Sequence, residues 1–463
     1  MAKPREQHFT YRPLDHNKAE FRLLKLSAGP VPCCTIDHFS LETAPPYKAV
    51  SYRWGAGVAT SKIMVNGLPL EISANLLDFL LQHDSIEKTA KLRDGKHSVD
   101  LFDDPIKLME TQWAASPWIW IDQLCIDQWS ISEKNHQVAQ MGIIYSQALQ
   151  VLVWLGNGTD GTEEAVTVAG YIAEAADITE GWEVRHANAE ERAQFQISDF
   201  EACQKIASNE YWSRLWIIQE FVLARTVVIM SGSAQIYGAH FQDLAKDVAR
   251  EEPSPLISRI WPFLMARRRL TAQYKMQRMA YRDIGEVPTT LTQDTVHYTW
   301  QDMISLARKA ECRDVRDRIY GMLSMVKQQV RIQVDYTAPA REIREKIIEV
   351  EFTNCYDRPF SQSALEEVDD EDFERFIDDL DSALELKDHI GDANDHLGDE
   401  NADDKRSCID VPKQVEYAHS TIEQPKDNDT KRARRLSLFR HFSTARIRAF
   451  MGYQPRGGRK KGQ

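Results

Sequence analysis

WIWI (118–121), HQVAQMGIIYSQA (136–148) and VLVWL (151–155) follow one another closely. The first and last stretches are apolar at every position, so both of their faces need cover, as for strands in the middle of a mostly parallel sheet. Between them Val138, Met141, Ile144, Tyr145 and Ala148 recur at three to four residues, which predicts an amphipathic helix, with Ser130 and Glu133 as a capping box at its start. Strand, helix, strand is a βαβ unit, and the chain therefore reads as a doubly wound α/β protein.

Working outward, YKAVSY (47–52) predicts a strand that stops at Arg53-Trp54-Gly55. Ile63-Met64-Val65 and Leu70-Glu71-Ile72 flank Asn66-Gly67, a two-residue hairpin signal. Leu76, Leu77, Leu80 and Leu81 give the next helical face. Downstream, helices are expected over Thr162 to Asp177, Ser198 to Ser208 and Glu210 to Ala224, then a hairpin from Thr226 to Met230 and Gln235 to Tyr237. Beyond it the chain is mainly helical, with one short strand at Ile332-Gln333-Val334.

The chain has 463 residues, 57 Lys+Arg and 70 Asp+Glu, for a net charge of −13, which excludes a uniformly basic nucleic-acid binder. That total averages two opposed segments: residues 365–404 carry −16 and residues 431–463 carry +11. The folded part is thus only mildly acidic, and the exclusion does not reach the basic tail. Seven Cys without CxxC spacing argue against zinc and disulfide frameworks, and no metal is expected. No apolar run reaches the roughly 18 residues that a membrane span needs, so a soluble protein in a reducing compartment is expected.

In open α/β sheets, ligands bind beyond the carboxyl ends of the strands. Here those ends carry Ser51-Tyr52-Arg53-Trp54, Asp122-Gln123 and Gly156-Asn157. Arg53 offers a planar fork for phosphate or carboxylate, and Asp122 an acceptor at the mouth of the sheet; equally, the two pair with each other or cap helices. On a continuous helix, Trp212, Trp216, Glu220 and Leu223 would share one stripe, placing a carboxylate against two indoles. Such an acid has its pKa raised or finds a donor, and Arg214 is the structural partner at hand. P-loop, HExxH and GxSxG patterns are missing from the sequence.

YKAVSYRWG (47–55), WIWIDQLCIDQ (118–128), HQVAQMGIIYSQALQVLVWLG (136–156) and YWSRLWIIQEFVLA (211–224), in this order, resemble the successive motifs of the fungal heterokaryon incompatibility (HET) domain. DVRDRIYGMLSM (314–325) and VDYTAPAREI (334–343) resemble segments that often follow it. HET domains are in turn similar to TIR domains, flavodoxin-like α/β modules of innate immunity and cell death.

The resemblance implies a flavodoxin/TIR-like, mostly parallel sheet with a helical insertion. It also suggests an N-terminal extension (1–46), a HET domain (47–225), a mainly helical region packed on it (226–360), a disordered acidic segment (361–430) and a basic tail (431–463). For function it implies fungal allorecognition and programmed cell death. If the chain is an enzyme, it is a TIR-like NAD glycohydrolase, with NAD as substrate and no cofactor. Glu220 would then be catalytic and Ser51, Tyr52, Arg53, Trp54, Asp122 and Trp216 would bind substrate. About fifty inserted residues (157–208) depart from TIR domains. The alternative is a non-catalytic module that signals by assembly, with other HET or incompatibility proteins or a second copy as partners. A cytoplasmic location is expected, with Lys431-Arg432-Ala433-Arg434-Arg435-Leu436-Ser437 as a nuclear-import patch or kinase site.

Overall fold

Lys48–Tyr52 is buried at all five positions and lies at the centre of a nine-stranded sheet. The computed structural model describes residues 8–27, 32–55, 61–93, 116–177, 197–251, 253–282, 298–308, 310–356 and 371–386. All of these fall within one unit, Met1–Leu365 with Glu371–Asp388.

The strands are β1 (Glu20–Ser27), β2 (Cys33–Ser40), β3 (Lys48–Tyr52), β4 (Ser61–Val65), β5 (Leu68–Ile72), β6 (Trp118–Trp120), β7 (Gln150–Trp154), β8 (Val227–Ser231) and β9 (Ala234–Tyr237). The helices are α1 (Ala74–Arg93), α2 (Asp122–Cys125), α3 (Ile131–Gln147), α4 (Thr162–Asp177), α5 (Asp199–Ser208), α6 (Ile217–Val222), α7 (Gly238–Glu251), α8 (Pro255–Arg282), α9 (Trp300–Ala307), α10 (Asp317–Tyr320), α11 (Ala340–Tyr356) and α12 (Glu371–Ala383). None is long and apolar enough to cross a membrane among the described residues.

The sheet runs β5-β4-β2-β1-β6-β3-β7-β8-β9. Its four middle strands, β6-β3-β7-β8, are parallel and are the apolar runs that the sequence marks. Taken in chain order, these four stand 2-1-3-4, the arrangement of flavodoxin-like sheets, whose switch point lies between the first and third strands. The sheet as a whole is mixed, not mostly parallel. Residues 20–40 form an antiparallel pair inserted beside β6, and both edges close with antiparallel hairpins. In the β4–β5 hairpin, Asn66 and Gly67 have φ of +50° and +80°, as a type I′ turn requires. The Asn66 Oδ1 accepts from the Ile36 amide (2.9 Å), tying the hairpin to β2.

Three expectations fail for local reasons. Ile332-Gln333-Val334 forms no strand, because no neighbouring strand is available to pair with it. Ser130 caps α3 by accepting from the Glu133 amide (3.3 Å), but the Glu133 carboxylate turns to Arg22 instead of closing the box. The acidic stretch expected to be disordered contains α12, with Phe373, Phe376 and Leu380 buried on one face against α9 and α11. Arg344 pairs with Asp381, Arg318 with Glu385, and Arg308 with Asp379, so neighbouring cations offset its acids. The rest of the acidic segment and the whole basic tail lie outside the described residues.

α3 is held closely against the short 3-10 turn Leu323–Met325. A Cβ on Gly142 would sit 2.0 Å from Ser324 Oγ and 2.1 Å from Ser324 Cβ. Gly142→Ala gains up to about 1 kcal/mol of helix propensity, against roughly 1–3 kcal/mol for overpacking. The clash should win, and the urea midpoint of this variant is expected to fall.

Candidate functional site

Side chains alternate along β3, so Ser51 and Tyr52 face opposite sides of the sheet. Ser51 faces α3 and α6. Its Oγ donates to Glu220 Oε2 (2.5 Å) and accepts from the Tyr211 hydroxyl (2.7 Å). Tyr145 of α3 donates to the Val50 carbonyl (3.2 Å) and lies beside the same carboxylate. Glu220 is only 1% exposed. Burial is the main cause of its raised pKa, from an ordinary 4.5 up to about 7; Arg214 pulls the other way and Asp122 adds to the rise.

The second group lies at the end of β6. Asp122 Oδ2 accepts from Trp54 Nε1 (2.7 Å), and the Tyr52 hydroxyl donates to Gln123 Oε1 (2.9 Å). Burial raises the Asp122 pKa, with Arg214 opposing. Arg214 joins the two groups. It donates to the Tyr52 carbonyl oxygen, reaches Glu220 Oε2 at 3.9 Å, and is attracted by both carboxylates. The arrangement is thus a largely enclosed cation between two acids whose charged forms are disfavoured, at the carboxyl ends of the parallel strands.

Of the residues singled out in the sequence, Ser51, Tyr52, Trp54, Asp122 and Glu220 come together in this way. Arg53 and Trp216 do not join them. The Arg53 guanidinium forms an exposed ion pair with Glu210, and its carbonyl accepts from Asn75 Nδ2 (2.7 Å). The expected continuous helix is broken: Glu210–Ser213 is a 3-10 turn, Arg214 is extended, and α6 begins only at Ile217. Trp216, the N-cap of α6, accepts at its carbonyl from the Glu220 amide (3.3 Å), but its indole Nε1 donates to Asp317 Oδ2 (3.2 Å), a carboxylate that also accepts from the Tyr336 hydroxyl (2.5 Å).

The break is fixed by a short ladder. The Leu215 amide donates to the Glu311 carbonyl (3.0 Å) and the Glu311 amide to the Ser213 carbonyl (2.7 Å). Residues 311–336 thus hold the segment that carries Arg214 and leads into Glu220. Tyr145 and Tyr211 are site residues that the sequence reading left among the core aromatics. Their hydroxyls were the available signal, since a buried phenol needs a partner.

Among the described residues no group of His, Cys, Asp and Glu is placed to hold a metal ion. No solved structure matches this chain. Over 255 residues it is 27% identical to heterokaryon incompatibility protein 6, OR allele, of Neurospora crassa; the match covers 47% of this chain and 34% of that protein. The chain therefore spans about a third of the length of that relative. Residues 47–220 match the family described as heterokaryon incompatibility protein (HET), a range that contains every member of the clusters around Glu220 and Asp122. The chain is a HET-domain protein, with its HET domain at residues 47–220.

Proposed function

We propose that this protein acts in fungal heterokaryon incompatibility and that its HET domain brings about cell death by cleaving the glycosidic bond of NAD. The observation that carries this reading is Glu220, a carboxylate with its pKa raised by burial, at the carboxyl ends of the parallel strands beside Arg214 and Asp122. In the reaction, Glu220 stabilises the positive charge that develops on the ribose as nicotinamide leaves, and water then adds to the sugar carbon. Arg214 is placed to attract the pyrophosphate, the role that the sequence suggests for Arg53.

With Glu220 only 1% exposed, the carboxylate must be uncovered before it meets a ribose. Uncovering it also removes the desolvation that holds its proton, so opening and ionisation go together. Partner binding or self-association in the cytoplasm supplies the opening step. The same burial favours a second reading, a non-catalytic module that signals through assembly, because Ser51 and Arg214 already engage Glu220 within the chain.

Incubation of the purified protein with NAD, before and after forced oligomerisation, separates the two. Turnover that falls at least about a hundredfold in Glu220→Ala supports catalysis. Equal and negligible turnover in both proteins, oligomerised or not, rejects it in favour of the module.

A further inference from the structure

α3 has two contrasting faces. Val138, Met141, Ile144 and Tyr145 are buried toward the sheet. The stripe Ser132, Asn135, His136, Ala139 and Gln140, at i, i+3, i+4, i+7 and i+8, faces the Leu323–Val334 segment across a cleft of about 690 Å³. A helix stripe that faces another protein wall is ordinarily apolar, yet this one has nothing apolar larger than Ala. The volume falls within the roughly 300–1,000 Å³ of small-molecule sites.

The walls are rich in donors. Arg331 is held in place by bonds from Nε to the Val326 carbonyl (3.0 Å) and from Nη2 to the Ser324 carbonyl (3.3 Å). His16 stacks on His136 with ring centroids 4.4 Å apart, placing two imidazoles at the cleft. The Asn135 Oδ1 accepts from the Tyr336 amide (3.0 Å), and its Nδ2 makes no hydrogen bond among the described residues. In a chain where acids outnumber bases 70 to 57, no carboxylate among the described residues lines this cleft. The Gln140 amide is spent on the His136 ring (2.8 Å), which leaves one fixed cation, the Asn135 amide and the Ser132 and Ser324 hydroxyls, a donor set without a carboxylate that suits an oxyanion.

We propose that the cleft between α3 and the Leu323–Val334 segment binds a phosphate-bearing small molecule of mononucleotide size, at a site separate from Glu220. Because its walls belong to the HET domain and to the region after it, the ligand fastens the two together.

The test is calorimetric titration of the full chain with inorganic pyrophosphate, ADP and adenosine. Pyrophosphate and ADP should bind and adenosine should not. Ser132→Glu puts a carboxylate on an exposed position of the cleft wall without disturbing the core, and should weaken both anions at least about tenfold with the melting temperature unchanged. Asn135→Asp, which keeps the acceptor for the Tyr336 amide and removes the donor, should weaken them as well, and Glu220→Ala should leave them unaffected. The site is overturned if neither anion binds at millimolar concentration, if adenosine binds as well as ADP, or if Ser132→Glu binds like the parent. It is also overturned if Glu220→Ala abolishes binding that Ser132→Glu retains, which would move the anion to the Glu220 rim. NAD turnover enters none of these outcomes, so this site and the proposed reaction stand or fall separately.

Discussion

Arg22→Met should destabilise the fold by about 3–5 kcal/mol, a large share of the stability of an ordinary domain. Arg22 lies in β1 and is 1% exposed. Its Nη1 donates to Glu133 Oε1 (2.5 Å) and the Cys125 carbonyl (2.9 Å), and its Nη2 to Glu133 Oε2 (2.9 Å) and the Arg12 carbonyl (2.6 Å). The methionine would keep the apolar stem and remove every one of these bonds. Glu133, itself 4% exposed, would remain a buried carboxylate whose one remaining hydrogen bond among the described residues is from the Asp127 amide (2.6 Å). The cost comes from the orphaned charge more than from the lost attraction. Arg22→Met combined with Glu133→Leu should therefore recover much of the loss, because an apolar pair of similar volume avoids the desolvation. Denaturant unfolding of the two variants checks this, and a double variant no better than the single one would refute it.

Glu220→Gln should flatten the dependence of stability on pH. The folded pKa of Glu220 is raised from 4.5 to about 7, so between these values the folded chain holds a proton that the unfolded chain has released. The contribution to stability is fully present below the unfolded value and is lost as pH rises through about 7. The difference of about 2.5 pH units corresponds to about 3 kcal/mol between pH 4 and pH 8. Burial raises Asp122, Asp317 and Glu351 in the same direction, whereas His38 and His136 are lowered by burial and act in the opposite sense, so the share due to Glu220 is read from the variant and not from the parent's total slope. Glutamine still accepts from Ser51 and does not titrate, so only the share due to Glu220 should disappear. Unfolding free energies of parent and variant across pH 4–8 read that share as a difference of slopes. Parallel slopes would show that Glu220 is not the titrating group.

The parallel middle of the sheet was legible because its strands are covered on both faces, which leaves a continuous apolar run in 118–121 and 151–155. The flanks were not. Glu20–Ser27 and Cys33–Ser40 alternate more weakly, and they belong in the sheet through pairings with β6 and β4 that are remote in sequence. α12 was hidden by composition: a count of acids cannot anticipate that Arg308, Arg318 and Arg344 lie opposite.

At the candidate site, strand-end residues such as Ser51 and Asp122 could be placed from the sheet rule. The stripe drawn from Trp212 through Trp216 to Glu220 misled, because it presumes a helix continuous through 213–215 that the Leu215–Glu311 pairing interrupts. Local propensity does not register a partner nearly a hundred residues away.

That pairing bears on how the family's domain can be inherited. The matched range ends at Glu220, inside α6, while β8 beyond it completes the parallel strands and β1 before it borders β6. Glu311 and Asp317 supply the bonds that shape residues 213–216. A recombination event that moved 47–220 into another gene would leave those partners behind. The unit that can be exchanged between genes with its fold intact is thus longer than the unit that sequence similarity marks, and β1, β8 and the 311–336 segment must travel with it or be matched by the host.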